Sequence, residues 1–321
     1  MTRETSARAT PRGFLTLADV PVGDWPALWD RTAVLEAERD AGKNATSLAG
    51  KTVALVFEKA STRTRVSFEV AAYELGGNAV VLQSEGSQLA RGEPVSDTAR
   101  VLASYSHAIV VRTFGQDRVA EFARWSSVPV INGLSDQHHP CQVATDLYTV
   151  RQHFGSIDGL RYAWIGDGNN MAQSWIEAAG MFGLDLVLAC PEGYAPDPLL
   201  VGAARAAQQR LGKGTIELTT DVRAAATGAH VLSTDVWASM GQEAEAARRR
   251  AAFTSYQIDA ALLAQADPTG IVLHCLPAHR GEEITGDVLD GPRSHAWKQA
   301  ANRLHIAKAL LEYVVVISSA S

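Results

Sequence analysis

The chain has 321 residues, 46% of them hydrophobic and 20% charged, with a formal net charge of −6 at pH 7. That is enough apolar material for two ordinary domains with sizeable cores, and the acidic balance excludes the basic field that nucleic-acid binding needs. The opening MTRETSARATPRGFL holds no apolar run of signal-peptide length, and the late run Tyr313 to Ile317 is too short to span a bilayer, so the expectation is a cytoplasmic protein with no membrane partner.

Short β-branched runs alternate with helical patterns from one end to the other, which predicts an α/β protein with parallel sheets wound by helices. In chain order the predicted strands are Thr52 to Phe57, Ala79 to Gln83, Ala108 to Arg112, Val128 to Asn132, Tyr162 to Gly166, Asp185 to Ala189, Thr215 to Leu218, His230 to Thr234 and Ile271 to Cys275. A long helical pattern from Pro140 to Phe154, stopped by Gly155, bridges the two halves, and Ala296 to Val315 has helical spacing that would let it pack back onto the first half. The three cysteines, Cys141, Cys190 and Cys275, stand at wide spacings that suit reduced thiols rather than a disulfide framework or a zinc site.

Chemistry-bearing residues gather where predicted strands end. After the first strand comes STRTR, Ser61 to Arg65, with no acidic residue before Phe68. Ser61 or Thr62 is placed to cap the following helix, whose first amides and positive dipole end attract an anion. Arg63 and Arg65 add charge in a planar fork that suits phosphate. The plainer alternative is a capped surface helix whose arginines face water.

After the fourth predicted strand, His139, Pro140 and Gln142 open a helix; Pro140 suits its first turn, and Gln142 offers both a donor and an acceptor to a small planar group. The plainer reading leaves Gln142 in solvent. In the second half, IGDGNN, TDVWASMGQE and HCLPAHRGEE each follow a strand. GDGNN lacks the third glycine of a dinucleotide fingerprint, and the next strand ends at Ala189 and Cys190 rather than at an acid. Asp235 and Cys275 at strand ends suit an amine ligand, while His274 reads as structural and a small apolar role is the common one for a cysteine such as Cys275.

STRTR, HPCQ, DVWASMGQE and HCLP in this order, joined by SQLARGE and NRLH, resemble the aspartate/ornithine transcarbamylase family, and its ornithine-using branch most closely, from about Phe14 to Val315. The resemblance implies two doubly wound parallel-sheet domains joined by interdomain helices: a carbamoyl-phosphate half over 1–150, with a C-terminal helix at about 302–321 packing back on it, and an ornithine half over 151–301. It implies carbamoyl transfer from carbamoyl phosphate to the side-chain amine of L-ornithine, giving citrulline and phosphate, with neither metal nor organic cofactor.

By the same carry-over, Ser61, Thr62, Arg63 and Thr64 hold the phosphate. Arg112, His139 and Thr64 reach the carbamoyl oxygen, Gln142 and the backbone of Leu276 take the carbamoyl NH2, and Arg303 completes the pocket. Asn170, Asp235, Ser239 and Met240 serve ornithine, with Cys275 near the reacting amine. Gln88 would reach a neighbouring subunit's carbamoyl phosphate in a homotrimer or a multiple of one. The chain departs from the family pattern at Lys298 and Ala301, where acids are usual near Arg303.

Overall fold

The computed structural model describes residues 13–83, 88–238 and 243–316. They form two compact units. The first takes 1–15, 26–135 and 307–321, and the second takes 16–25 and 136–306, so that the division falls inside the closing helix Ala296–Val315, between Ile306 and Ala307.

In the first unit four parallel strands, β1 (Thr52–Phe57), β2 (Asn78–Gln83), β3 (Ala108–Arg112) and β4 (Val130–Leu134), lie in the order β2-β1-β3-β4. The two inner strands, TVALVF and AIVVR, are apolar almost throughout because helices cover both faces of a parallel sheet. The edge strand β2 has no fully buried residue. Ala54, Val56, Ile109 and Val111 pack with Val95, Ala99, Leu102 and Phe122 to make one core of this unit.

Strand β4 starts two residues later than Val128, where the sequence places it. Ser126 holds the approach in a turn, its hydroxyl donating to the Val128 carbonyl (2.6 Å) and accepting from the Val128 N–H (3.1 Å). Pro129 then has no N–H to give to a ladder. The strand instead runs on to Leu134, and the β3–β4 register shifts at Arg112, which pairs with Leu134. Such an irregularity bends a strand end and re-aims its side chain.

In the second unit β5 (Arg161–Ile165), β6 (Asp185–Ala189), β7 (Thr215–Thr219), β8 (Val231–Thr234) and β9 (Ile271–His274) form a parallel sheet in the order β7-β6-β5-β8-β9. Ile165, Val187 and Leu232 face Trp237, Phe253 and Tyr256 in its core. The helix Pro140–Phe154 has the predicted bounds, with Pro140 in its first turn and Gly155 closing it at φ 78°, a left-handed conformation open to glycine.

In each sheet the strand order reverses once, between β1 and β3 and between β5 and β8. Ligands of open parallel sheets bind at the carboxyl ends of strands beside such a reversal. Among the described residues no helix is long and apolar enough to cross a membrane.

Candidate active site

In the first unit the reversal point is occupied by the STRTR segment and Arg112. The segment leaves β1 and enters the helix Arg63–Glu74; Arg112 is the last residue of β3. Arg112 is buried and its guanidinium donates to the Thr64 hydroxyl (3.3 Å), itself buried. Gly133 in β4 allows the approach, since a Cβ there would lie 3.2 Å from the Thr64 methyl carbon.

The expected hydroxyl cap is not formed. Thr62 sits in helical conformation (φ −85°, ψ −59°), from which its side chain makes no capping bond, whereas a capping residue is normally extended. The end of the sheet is braced by Glu58, whose carboxylate accepts from both Arg118 and Thr113 and whose N–H donates to the Arg112 carbonyl (2.9 Å). Gln88 is exposed and immediately precedes the short 3-10 turn Leu89–Arg91.

In the second unit β5 leads through GDGNN into the helix Asn170–Phe182. Asn169 caps that helix, its side-chain oxygen accepting from the N–H groups of Met171 (3.0 Å) and Ala172 (3.2 Å). Its amide nitrogen, turned the other way, donates to Asp235 Oδ2 (3.1 Å), just beyond β8. Cys275, just beyond β9, donates its thiol to Asp235 Oδ1 (3.0 Å). The Thr234 hydroxyl ties the end of β8 to the Ile165 carbonyl (2.6 Å), which fixes the gap across which Asn169 and Asp235 meet. Asn170, the first residue of the helix, contributes its carbonyl to the Ser174 hydroxyl (2.8 Å). Ser239 and Met240 lie outside the described residues.

His274 serves the backbone. Its Nδ1 accepts from the Leu276 N–H (2.9 Å), so Nε2 carries the proton and donates to Glu283 Oε1 (3.0 Å), both side chains being fully buried. This holds Leu276 at φ 58°, a left-handed conformation costly for a side chain of its size.

The start of the helix Pro140–Phe154 belongs to the second unit too. His139 precedes it, buried, with its N–H on the Ser174 hydroxyl (2.8 Å) and no side-chain cap. Gln142 does not face solvent. It is buried, its Nε2 donates to Asp146 Oδ1 (2.8 Å), and its Oε1 accepts from Arg303. Lys298 and Ala301 are both exposed, whereas Arg303 is buried and donates to the Gln142 oxygen. Asp146 also accepts from Gln299 Nε2 (2.5 Å), and Gln299 Oε1 in turn accepts the His274 N–H (2.9 Å).

Burial pushes the Asp146 carboxyl up to about 7, against the pull of its hydrogen bonds from Gln142 and Gln299 and of the Arg303 charge. A carboxyl raised above its unfolded value stabilises the fold below the unfolded value, and that contribution is lost as pH rises toward about 7. Asp146→Asn is therefore expected to flatten the fall in stability between about pH 4 and 7, measured by urea denaturation across that range. An unchanged slope contradicts it. Burial likewise holds the Cys141 and Cys190 thiols at about 12, which makes both unreactive. For a metal ion, Asp235, His274 and Cys275 offer ligand atoms within 4.8 Å of one another, as do His279, Glu282 and Glu283.

The sequence pattern of the aspartate/ornithine carbamoyltransferase carbamoyl-P binding domain matches residues 12–152, and that of the Asp/Orn binding domain matches 158–314. The chain belongs to this family. It is 53% identical over 300 residues to the ornithine carbamoyltransferase of Geobacter metallireducens, covering 94% of this chain and 98% of that one. It is equally 53% identical to that of Acidothermus cellulolyticus over 304 residues, 95% and 96% of the two chains. Among solved structures, the ornithine carbamoyltransferase from Pyrococcus furiosus superposes with a TM-score of 0.91 at 45% identity, covering 95% of this chain and 97% of that one. The two parallel-sheet units are the architecture that this family resemblance implies.

Four residues near the family's motifs were not singled out in the sequence. Asn169 was legible as an asparagine directly ahead of a helix, the usual capping type. Gly133 breaks an otherwise apolar strand, a common mark of close approach. Asp146 and Gln299 carry no local signal, since their partnership joins residues 153 positions apart.

Proposed function

We propose that the chain transfers the carbamoyl group of carbamoyl phosphate to the side-chain amine of L-ornithine, releasing citrulline and phosphate. The observation that carries this reading is the setting of Asp235: a carboxylate beside a strand-order reversal, flanked by the Cys275 thiol at 3.0 Å and the Asn169 amide at 3.1 Å. Such a group suits the α-ammonium of an amino acid, as an ion pair with the remaining acceptor capacity of both oxygens. Asn170 and the backbone amides of Ser239 and Met240 hold the α-carboxylate end, which leaves the δ-amine to react near Cys275.

Carbamoyl phosphate takes the 1–150 half. Ser61, Thr62, Arg63 and Thr64 hold its phosphate with the first amides of the helix Arg63–Glu74, and Gln88 adds a contact from a neighbouring chain. The neutral δ-amine attacks the carbamoyl carbon; an N–C bond forms and negative charge grows on the carbonyl oxygen, where Arg112, Thr64 and His139 donate. Gln142 and the Leu276 carbonyl hold the NH2, with Arg303 beside them. The C–O bond to phosphate then breaks, and the departing phosphate takes the amine proton, so the step needs no separate base. No metal or organic cofactor takes part.

The amine panel tests this reading. Ornithine should exceed aspartate, putrescine and N-acetylornithine in kcat/KM, and its rate should climb from acid toward alkaline pH because an alkylamine titrates at about 10.4. A comparable or better kcat/KM with any of the other three contradicts ornithine as the acceptor. The same reading places the protein in the cytoplasm, in arginine metabolism, as a homotrimer or a multiple of one with sites shared through Gln88. Sedimentation equilibrium checks the assembly, and a monomeric mass contradicts it.

A further inference from the structure

Gln142 is buried between a donor and an acceptor, and an amide there has only one consistent orientation. Arg303 offers N–H groups alone, and Asp146 presents Oδ1 as an acceptor. The amide nitrogen must turn to Asp146 and the oxygen to Arg303; the reverse would set N–H against guanidinium and oxygen against carboxylate. Asp146 lies one helical turn after Gln142 on the same helix, and none of it is exposed.

Its Oδ1 also accepts from Gln299, whose own oxygen accepts the His274 N–H. His274 in turn fixes the N–H of Leu276. One carboxyl oxygen thus stands behind two groups to which the proposed function assigns the carbamoyl NH2: the Gln142 oxygen and the Leu276 carbonyl.

We propose that Asp146 is a positioning residue that makes this site an acceptor of N–H donors, and so selects a carbamoyl phosphate over an acyl phosphate of the same size. The inference rests on the function proposed above. Acetyl phosphate is the discriminating probe, because a methyl group replaces the NH2 and the phosphate is retained. A residue that merely supports the fold would affect both ligands alike when removed, whereas a residue that orients acceptors affects only the ligand with N–H groups to donate.

The experiment is calorimetric titration of the wild type, Asp146→Leu and Asp146→Asn with carbamoyl phosphate, acetyl phosphate and inorganic phosphate. The wild type should bind carbamoyl phosphate more tightly than acetyl phosphate. Asp146→Leu should weaken carbamoyl phosphate about tenfold, the scale of a buried hydrogen bond lost, and leave the other two unchanged. Asp146→Asn, which keeps a carbonyl oxygen for the two glutamine amides, should retain the preference.

Equal weakening of all three ligands by the leucine variant overturns the inference, as does an unchanged affinity for carbamoyl phosphate. Asp146→Ser, too short to reach Gln142, is held to the same outcomes, so a leucine variant that fails to fold does not spare it. A wild type that makes no citrulline and binds both acyl phosphates alike overturns the functional reading together with this inference. A wild type that prefers carbamoyl phosphate, beside a leucine variant that keeps the preference, overturns the inference alone.

Discussion

Replacing Arg112 by methionine is expected to lower kcat by about 10²- to 10³-fold, the usual consequence of removing one preorganised donor from a developing oxyanion. The guanidinium is buried at the end of β3 and fixed on the Thr64 hydroxyl, so it need not reorganise when charge appears on the carbamoyl oxygen. Methionine keeps an unbranched apolar stem in place of the arginine's and removes the donors. The bracing of the sheet end by Glu58, Thr113 and Arg118 does not involve the Arg112 side chain, so the fold should survive, which thermal unfolding checks. The loss should fall on kcat more than on the dissociation constant of inorganic phosphate, which the proposed function assigns to the STRTR segment. An unchanged kcat contradicts the assignment, and equal losses in phosphate affinity would move Arg112 from the reacting oxygen to the phosphate.

Asp235→Asn is expected to reduce kcat/KM for ornithine by about 10²- to 10³-fold, since truncating one partner of a buried charge pair costs about 2 to 5 kcal/mol. Asparagine keeps an oxygen for the Cys275 thiol and the Val236 N–H, both of which Asp235 Oδ1 now accepts, but gives up the Oδ2 acceptor of the Asn169 amide, so thermal unfolding is measured alongside to separate loss of charge from loosening of the loop. Affinity for carbamoyl phosphate, read by calorimetry, should not change. N-acetylornithine has no α-ammonium, so its poor turnover should be the same in variant and wild type. An equal fall for both amines would make Asp235 a support of the reacting centre instead of the holder of the α-ammonium.

The fold was legible where both faces of an element are buried or its ends are chemically marked. TVALVF and AIVVR are unbroken apolar runs because they are inner strands of a parallel sheet. Pro140 and Gly155 bracket their helix because one is pre-set for a first turn and the other for a left-handed close. The fourth strand slipped by two residues because apolar content alone does not reveal that Ser126 folds the approach into a turn.

The chemistry at strand ends was legible as residue types and not as partnerships. The density of donors in STRTR is the ground for expecting an anion there, yet whether Thr62 caps the helix depends on a backbone conformation that no residue type dictates. For Gln142 the sequence left open a plainer, solvent-facing alternative because Asp146 and Arg303 reach it from one turn along its own helix and from 161 residues away. The pairing of His274 with Glu283 is similar: each is unremarkable alone, and the turn between them decides that the ring serves the Leu276 backbone.

The most direct test of the central claim is the identity of the product formed from carbamoyl phosphate and L-ornithine, read by mass spectrometry and carbon-13 NMR with phosphate release measured alongside. If Asp235 holds the α-ammonium and presents the other end of the amino acid, the product is citrulline, carbamoylated on the δ-nitrogen, with one phosphate released for each molecule formed. A product carbamoylated on the α-nitrogen, or phosphate released with no ureido product, would contradict it.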